Sequence, residues 1–210
     1  MSVLGKAMPL AAALVVLWAG PALAELKAGD SGAGVRQMQD RLHELGYFVG
    51  ARGGTYGPLT VQAVHALQKA AGIERTGVYD RRTRQAARRG TLPRPLRLPG
   101  RQVQVDLRRQ LLMVTQNGQV RLVVNASTGS YGTPTPRGTF RVTRQIDGIR
   151  RAELGSLYRP KYFVGGIAVH GSPSIPPYPA SHGCVRVANA AMDHLWRDRR
   201  LPVGGRIVVF

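Results

Sequence analysis

The spacing of apolar positions changes once along the chain, and that change divides it. Between residues 26 and 90 apolar side chains recur at three- and four-residue steps. Val35, Met38, Leu42 and Leu45 form one stripe, and Val61, Val64 and Leu67 a second. This spacing lines up one face of an α-helix, and such faces are most simply core. The punctuation agrees. Ser31 is placed to cap the first helix and Gly46 to end it, while Pro58 suits the first turn of the second and Gly72 its close. Asp80 can cap a short third helix ending on Arg88 and Arg89, where positive charge complements the helix dipole. "GTYGPLT" (54–60) and "GVYDRRT" (77–83) share Gly-x-Tyr-x-x-x-Thr, a repeated turn leading into a helix.

Residues 91–100, "TLPRPLRLPG", carry three prolines and no period, which predicts a stiff, extended linker that sets how far two modules can separate. From Arg101 the pattern alternates. "RQVQVDL" alternates cleanly, and "LLMVTQ" and "QVRLVV" flank Asn117-Gly118, a pair that tolerates the positive φ of a tight hairpin turn. Further strands are expected at 139–143, 161–170 and 205–210, with one short helix from Asn189 to Trp196. "TGSYGTPTPRGTF" (128–140) and residues 144–160 read as long loops, which in compact domains tend to carry function. The expected architecture is multi-domain: an all-α three-helix module at 25–90, the linker at 91–100, and a mainly-β domain with one short helix at 101–210.

Composition alters this picture at the N-terminus. Lys6, the apolar run Ala7–Gly20 and Ala22-Leu23-Ala24 before Glu25 read as a cleavable export signal covering residues 1–24. The run is short for a bilayer span and contains Pro9, so no stable membrane span is expected after cleavage. Lys6 is the one charged residue removed, so the formal charge of +19 becomes +18. Export excludes nucleic acid as the partner of this charge and leaves anionic wall polymers or lipid headgroups, beside the plainer reading of a solvated surface. Ten arginines fall between Arg81 and Arg109. This basic cluster is the candidate polyanion contact.

The one cysteine, Cys184, cannot form an internal disulfide, so its neighbours decide its role. It sits in "SHGCVRV" (181–187), with His182 two places before it and Arg186 two after, and "GGIAVHGS" brings His170 out of a strand at the same end of the sheet. A thiol of ordinary acidity needs such a basic or cationic neighbour to become a nucleophile. Gly183 lets the backbone turn sharply, so amides around Gly183 and Cys184 could face a developing oxyanion. Three readings stand side by side. Cys184 is a nucleophile with His170 as base and Ser181 and His182 in support; or His170, His182 and Cys184 ligate zinc; or Cys184 is a buried small hydrophobe among structural histidines. His43, His65 and His194 lie on helical segments and read as packing or surface residues.

"IAVHGS…YPASHGCVRVANAAMDHLW…VGGRIVVF" closely resembles the catalytic domain of the L,D-transpeptidases, the YkuD family, and "TPTPRGTF" resembles that family's upstream Thr-Pro-x-Pro-x-Gly-x-Phe segment. Residues 26–90 resemble the three-helix peptidoglycan-binding module. The resemblance implies a β-sandwich for 101–210 and a reaction in which Cys184 attacks a tetrapeptide stem, releases its terminal D-alanine, and hands the acyl group to a second stem as a 3→3 cross-link. His170 is then the base, with its other nitrogen held by a carbonyl at Gly171 or Ser172. Ser181, His182 and Gly183 match supporting and oxyanion positions, while Arg186, Tyr162 and Asn189 match substrate-binding ones. The His170–Ser181 loop is shorter than the family's usual pattern, and Arg186 stands where some members carry asparagine. Partners would be peptidoglycan stem peptides and glycan in the periplasm or cell wall, with no cofactor. An L,D-carboxypeptidase, attachment of a protein to the wall by the same thioester, and a non-catalytic wall-binding protein are the alternatives.

Overall fold

The computed structural model describes residues 24–197 and 200–210, so the expected export signal lies almost wholly outside the described residues. Three helices come first: α1 (Ala33–Glu44), α2 (Pro58–Ala71) and α3 (Arg81–Arg88). Pro58 opens α2, and Gly72 closes it in the left-handed region at φ 67°. Asp80 caps α3 by accepting a hydrogen bond from Thr83 N at 2.7 Å. Ser31 does not cap α1. Gly32 takes that position at φ 115° without a side-chain cap, because the chain there pairs with the turn at Thr55.

The sequence echo is a structural repeat built around two buried glutamines. Gln39 accepts from Gly54 N and donates to Thr55 O and Thr60 Oγ1, all at 2.9 Å. Gln68 accepts from Gly77 N at 3.0 Å and donates to Val78 O and Thr83 Oγ1 at 2.9 and 3.1 Å. Each amide thus clips one Gly-x-Tyr turn to the preceding helix, satisfying backbone groups that a buried turn would otherwise leave unpaired.

The β domain has ten strands: β1 (Arg101–Asp106), β2 (Leu111–Gln116), β3 (Gln119–Asn125), β4 (Gly138–Arg141), β5 (Arg144–Gln145), β6 (Ile149–Ala152), β7 (Gly155–Val164), β8 (Ile167–Ser172), β9 (Val185–Ala188) and β10 (Arg206–Val209). One sheet runs β3-β2-β1-β10-β4; the other runs β5-β7-β8-β9, with β6 pairing β7. Asn117 and Gly118, at φ 50° and 74°, make the expected β2–β3 turn. Val103, Val105, Leu112, Val124, Ile207 and Val209 of one sheet share a core with Phe163, Val169, Val185 and Val187 of the other, and α4 (Asn189–Arg197) adds Ala191, Met192 and Leu195.

Two β-domain expectations need correction, and one strand was not foreseen. Residues 144–160 are not a loop: β6 and the first half of β7 form a largely exposed hairpin, and β5 pairs β7 further on, at Lys161 and Tyr162. A ribbon solvated on both faces has no apolar alternation to reveal it. The stretch 161–170 is not one strand but the end of β7, a Gly165-Gly166 turn, and the start of β8. Immediately after the cysteine, "VRVA" is the strand β9, lying parallel to β8.

The linker does not set a search distance, because the helical module is docked. Leu111 of β2 and Val123 of β3 are buried in the helical core with Leu42, Tyr47 and Leu67. The chain at Gly46–Phe48 extends the edge of β3 through Val123 N→Gly46 O and Phe48 N→Val123 O, at 2.8 and 2.9 Å. The linker itself straps the outer face of β1: Gln104, fully buried, exchanges hydrogen bonds with Leu96 N and O at 2.7 and 2.9 Å. At the seam Lys69 Nζ donates to Gln110 O and Ala126 O at 3.0 Å and to Asn125 Oδ1. Among the described residues no helix is long and apolar enough to cross a membrane.

Candidate active site

Parallel pairing of β8 with β9 decides what the thiol meets. The register sets Val169 against Val185 and His170 against Arg186, so Cys184, just before β9, lies beside Ala168, two residues from His170 along β8. Ala168 N–H donates to Cys184 Sγ at 3.4 Å, and the sulfur lies 4.0 Å from Gly166 O. Cys184 and His170 both line one open cavity of about 850 Å³. Cys184 is only partly buried, so the sulfur is not sealed in hydrocarbon.

His170 is 5 % exposed, and its Nδ1 is 2.8 Å from Gly171 O. A carbonyl can only accept, so Nδ1 carries the proton and Nε2 presents a lone pair. Burial lowers the His170 pKa below the ordinary imidazole value, the Gly171 bond pulls it back up, and Arg186 lowers it further. Burial raises the Cys184 thiol pKa, while the Ala168 amide and Arg186 oppose that. Both shifts favour the uncharged forms, imidazole and thiol.

The cysteine turn is held from below by the upstream Thr-rich loop. Thr135 Oγ1 donates to Gly183 O at 2.7 Å and Thr133 Oγ1 to Ser181 O at 3.1 Å, while Ser130 N and Ser181 N complete the seam through Ser181 O and Thr128 O. Gly129 has to be glycine: a Cβ there would lie 2.1 Å from Thr133 O. Ser181 Oγ donates to Cys184 O and accepts from Gly183 N at 3.2 Å. Gly183 takes φ 107°, which only glycine adopts easily, and its amide is engaged by Ser181 rather than open to the cavity.

The expected site residues separate into two groups. Ser181, His182, Arg186 and Tyr162 line the cavity with the pair, and Arg144 stacks on the Tyr162 ring at 4.0 Å. Asn189 does not line it. Its Oδ1 stands 2.6 Å from where a Cβ on Gly171 would project, so Gly171 is the gap that lets α4 approach β8. Sequence reasoning missed the roof: Arg150, Ala152, Glu153, Leu154 and Leu157 come from the hairpin read as loop. It also missed Thr133 and Thr135, although both lie in the quoted "TPTPRGTF". Among the described residues no three His, Cys, Asp or Glu side chains converge as metal ligands, so the zinc reading of His170, His182 and Cys184 finds no geometric support.

A histidine on β8 and a cysteine just before β9 thus line one cavity of a two-sheet β domain that follows a three-helix module. Residues 100–209 match the L,D-transpeptidase catalytic domain model, and residues 31–87 match the putative peptidoglycan binding domain model. The chain belongs to the L,D-transpeptidase (YkuD) family. Its structure superposes on the L,D-transpeptidase of Xylanimonas cellulosilytica with TM-score 0.87 and 45 % identity, covering 91 % of this chain and 100 % of that one. An L,D-transpeptidase of Stackebrandtia nassauensis shares the fold at TM-score 0.54 and 22 % identity, over 88 % of this chain and 94 % of the other. A probable N-acetylmuramoyl-L-alanine amidase of Bacillus licheniformis is 44 % identical over 63 residues, 29 % of this chain. The chain spans only 18 % of that amidase's length.

Proposed function

We propose that this protein is exported and acts as a peptidoglycan L,D-transpeptidase through a thioester on Cys184, with His170 as general base. One observation carries the reading: Nδ1 of His170 is tied to Gly171 O while the ring and the sulfur line the same cavity. That leaves Nε2 as the nitrogen able to take a proton.

In the proposed reaction Sγ attacks the carbonyl carbon between the third stem residue and the terminal D-alanine, and the thiol proton passes to Nε2. The oxyanion is met by the amide of Cys184 itself, since that of Gly183 is engaged by Ser181 Oγ. Collapse breaks the C–N bond, the imidazolium gives its proton to the leaving amine, and D-alanine departs. The amine of a second stem then attacks the thioester and gives its proton to Nε2. The C–S bond breaks, the proton returns to sulfur, and a 3→3 link remains. A neutral resting pair suits this sequence, because the proton moves only as the new bond forms.

Arg186 and Arg150 make the cavity cationic, which suits stem carboxylates, since a guanidinium fork can hold both oxygens of one. Tyr162 and His182 complete its wall. The helical module would hold glycan, at a fixed orientation to the cavity rather than on a tether.

The test is product analysis of tetrapeptide-containing muropeptides incubated with the protein and with Cys184→Ala. D-alanine release and 3→3 dimers are expected from the first and neither from the second. No release, or release that survives the substitution, refutes the reading. Tripeptides without dimers would instead assign water as acceptor, the carboxypeptidase outcome.

A further inference from the structure

The arginine cluster of residues 81–109 plays no part in the chemistry above, and the fold places part of it around a second cavity. This cavity, of about 610 Å³, lies where α2, α3, the linker and the β1–β2 turn meet, and shares no lining residue with the first. Arg82, Arg89, Arg94 and Arg109 line it, over a floor that includes Ala70, Ala71, Ala86 and Leu92.

The four cations are not equally occupied. Arg109 is paired with Asp106 at 2.9 Å. Arg82 lies near Asp80, whose carboxylate is already committed to capping α3. Arg89 and Arg94 have no ion pair among the described residues, and Asp106 is the one acid in the ten-arginine stretch. Cations gathered around a concave surface repel one another, and an anion relieves that repulsion more strongly than it would on a flat, solvated face. The walls also hold their positions, because Lys69 and the Gly46–Phe48 edge pairing fix the helical module on the β domain.

We propose that this seam cavity binds an oxyanion-bearing polymer of the cell wall. Phosphodiester or carboxylate groups sit on Arg82, Arg89 and Arg94, while the C–H faces of sugar or alditol units rest on the alanine floor. A polymer fits better than a small ion, because the basic stretch continues past the cavity through Arg97 and Arg101. Arg109 is the one lining residue from the β domain, so docking closes one side of a site built otherwise by α2, α3 and the linker. The choice of a wall polymer rests on the proposed export and wall-directed function, but none of the proposed catalytic residues contributes to the site, so its binding is tested apart from the chemistry.

The experiment is cosedimentation of the full chain with purified sacculi, at low and high salt. Three matrices are compared: untreated sacculi, sacculi stripped of phosphodiester polymers by hydrofluoric acid, and sacculi with amidated carboxylates. The triple variant R82Q/R89Q/R94Q is expected to bind at least about tenfold more weakly, the loss expected when charge-assisted hydrogen bonds are removed. Its D-alanine release from soluble tetrapeptide should match the parent, which separates failure of this site from failure of the enzyme reading. Loss of binding after acid stripping identifies phosphate as the ligand group, and loss after amidation identifies carboxylate. Unchanged affinity in the triple variant overturns the proposal. So does an equal loss in K27Q/R36Q/R121Q, which removes the same charge elsewhere, or an equal affinity for single-stranded DNA.

Discussion

Replacing Lys69 by methionine tests whether the two modules are one body. Lys69 is 2 % exposed, and its ammonium meets Gln110 O, Asn125 Oδ1 and Ala126 O, three oxygens of the β domain. Burial pulls its pKa down to about 6. A neutral amine, however, has two N–H bonds and would turn its lone pair on one of the three oxygens, so the cage fits the ammonium. Methionine fills similar volume and offers no donor. Each abandoned acceptor costs about 1–3 kcal/mol, less wherever Asn125 can turn toward Gln62 or water reaches the seam. The expected loss is about 3–5 kcal/mol, as for breaking other buried charged contacts, or roughly 10 °C in Tm for a chain of this size. Calorimetry should show one transition in the parent, because Leu111 and Val123 belong to the helical core. Two parental transitions, or a loss below about 1 kcal/mol in the variant, would refute the docked seam.

Two further outcomes follow from the charges around the site and the seam. Removing the Arg186 guanidinium, as in Arg186→Met, takes away a cation that lowers the His170 pKa. The neutral, base-competent form then appears at higher pH, so the acid limb of kcat/KM moves up; loss of the carboxylate grip lowers kcat/KM about 10- to 100-fold, and an unmoved limb refutes the coupling. His65, 8 % exposed, has its pKa lowered from 6.5 to about 4 by burial first and by Lys69 next. The folded state then binds fewer protons than the unfolded one in this range, so stability falls as pH drops from 6.5 to 4, by at most about 3 kcal/mol at about 1.4 kcal/mol per unit. Chemical unfolding across that range should show the slope in the parent and a flatter one in His65→Leu.

The three helices, the Asn117-Gly118 hairpin and the cysteine motif were legible because their signals are local. Helical stripes, a proline at a first turn, a glycine at a helix end and an Asn-Gly pair each act within a few residues of themselves. Ser31 misled because the turn at Thr55, twenty-four residues on, claims its segment. The flap over the cavity was illegible for a different reason. Strands β5 and β6 are exposed throughout, so their pairing with β7 leaves no apolar period behind.

By itself the sequence determined the two kinds of secondary structure, where they change over, and which side chains could do thiol chemistry. Tertiary structure alone decided that His170 and Arg186 stand in register on parallel strands, that the Thr133–Thr135 loop supports the cysteine turn, and that the linker is a strap rather than a tether. The reason is separation along the chain. Propensity, capping and periodicity are properties of neighbours, whereas a cavity wall, a parallel register and a buried lysine's cage are made by residues that only the packed core brings together.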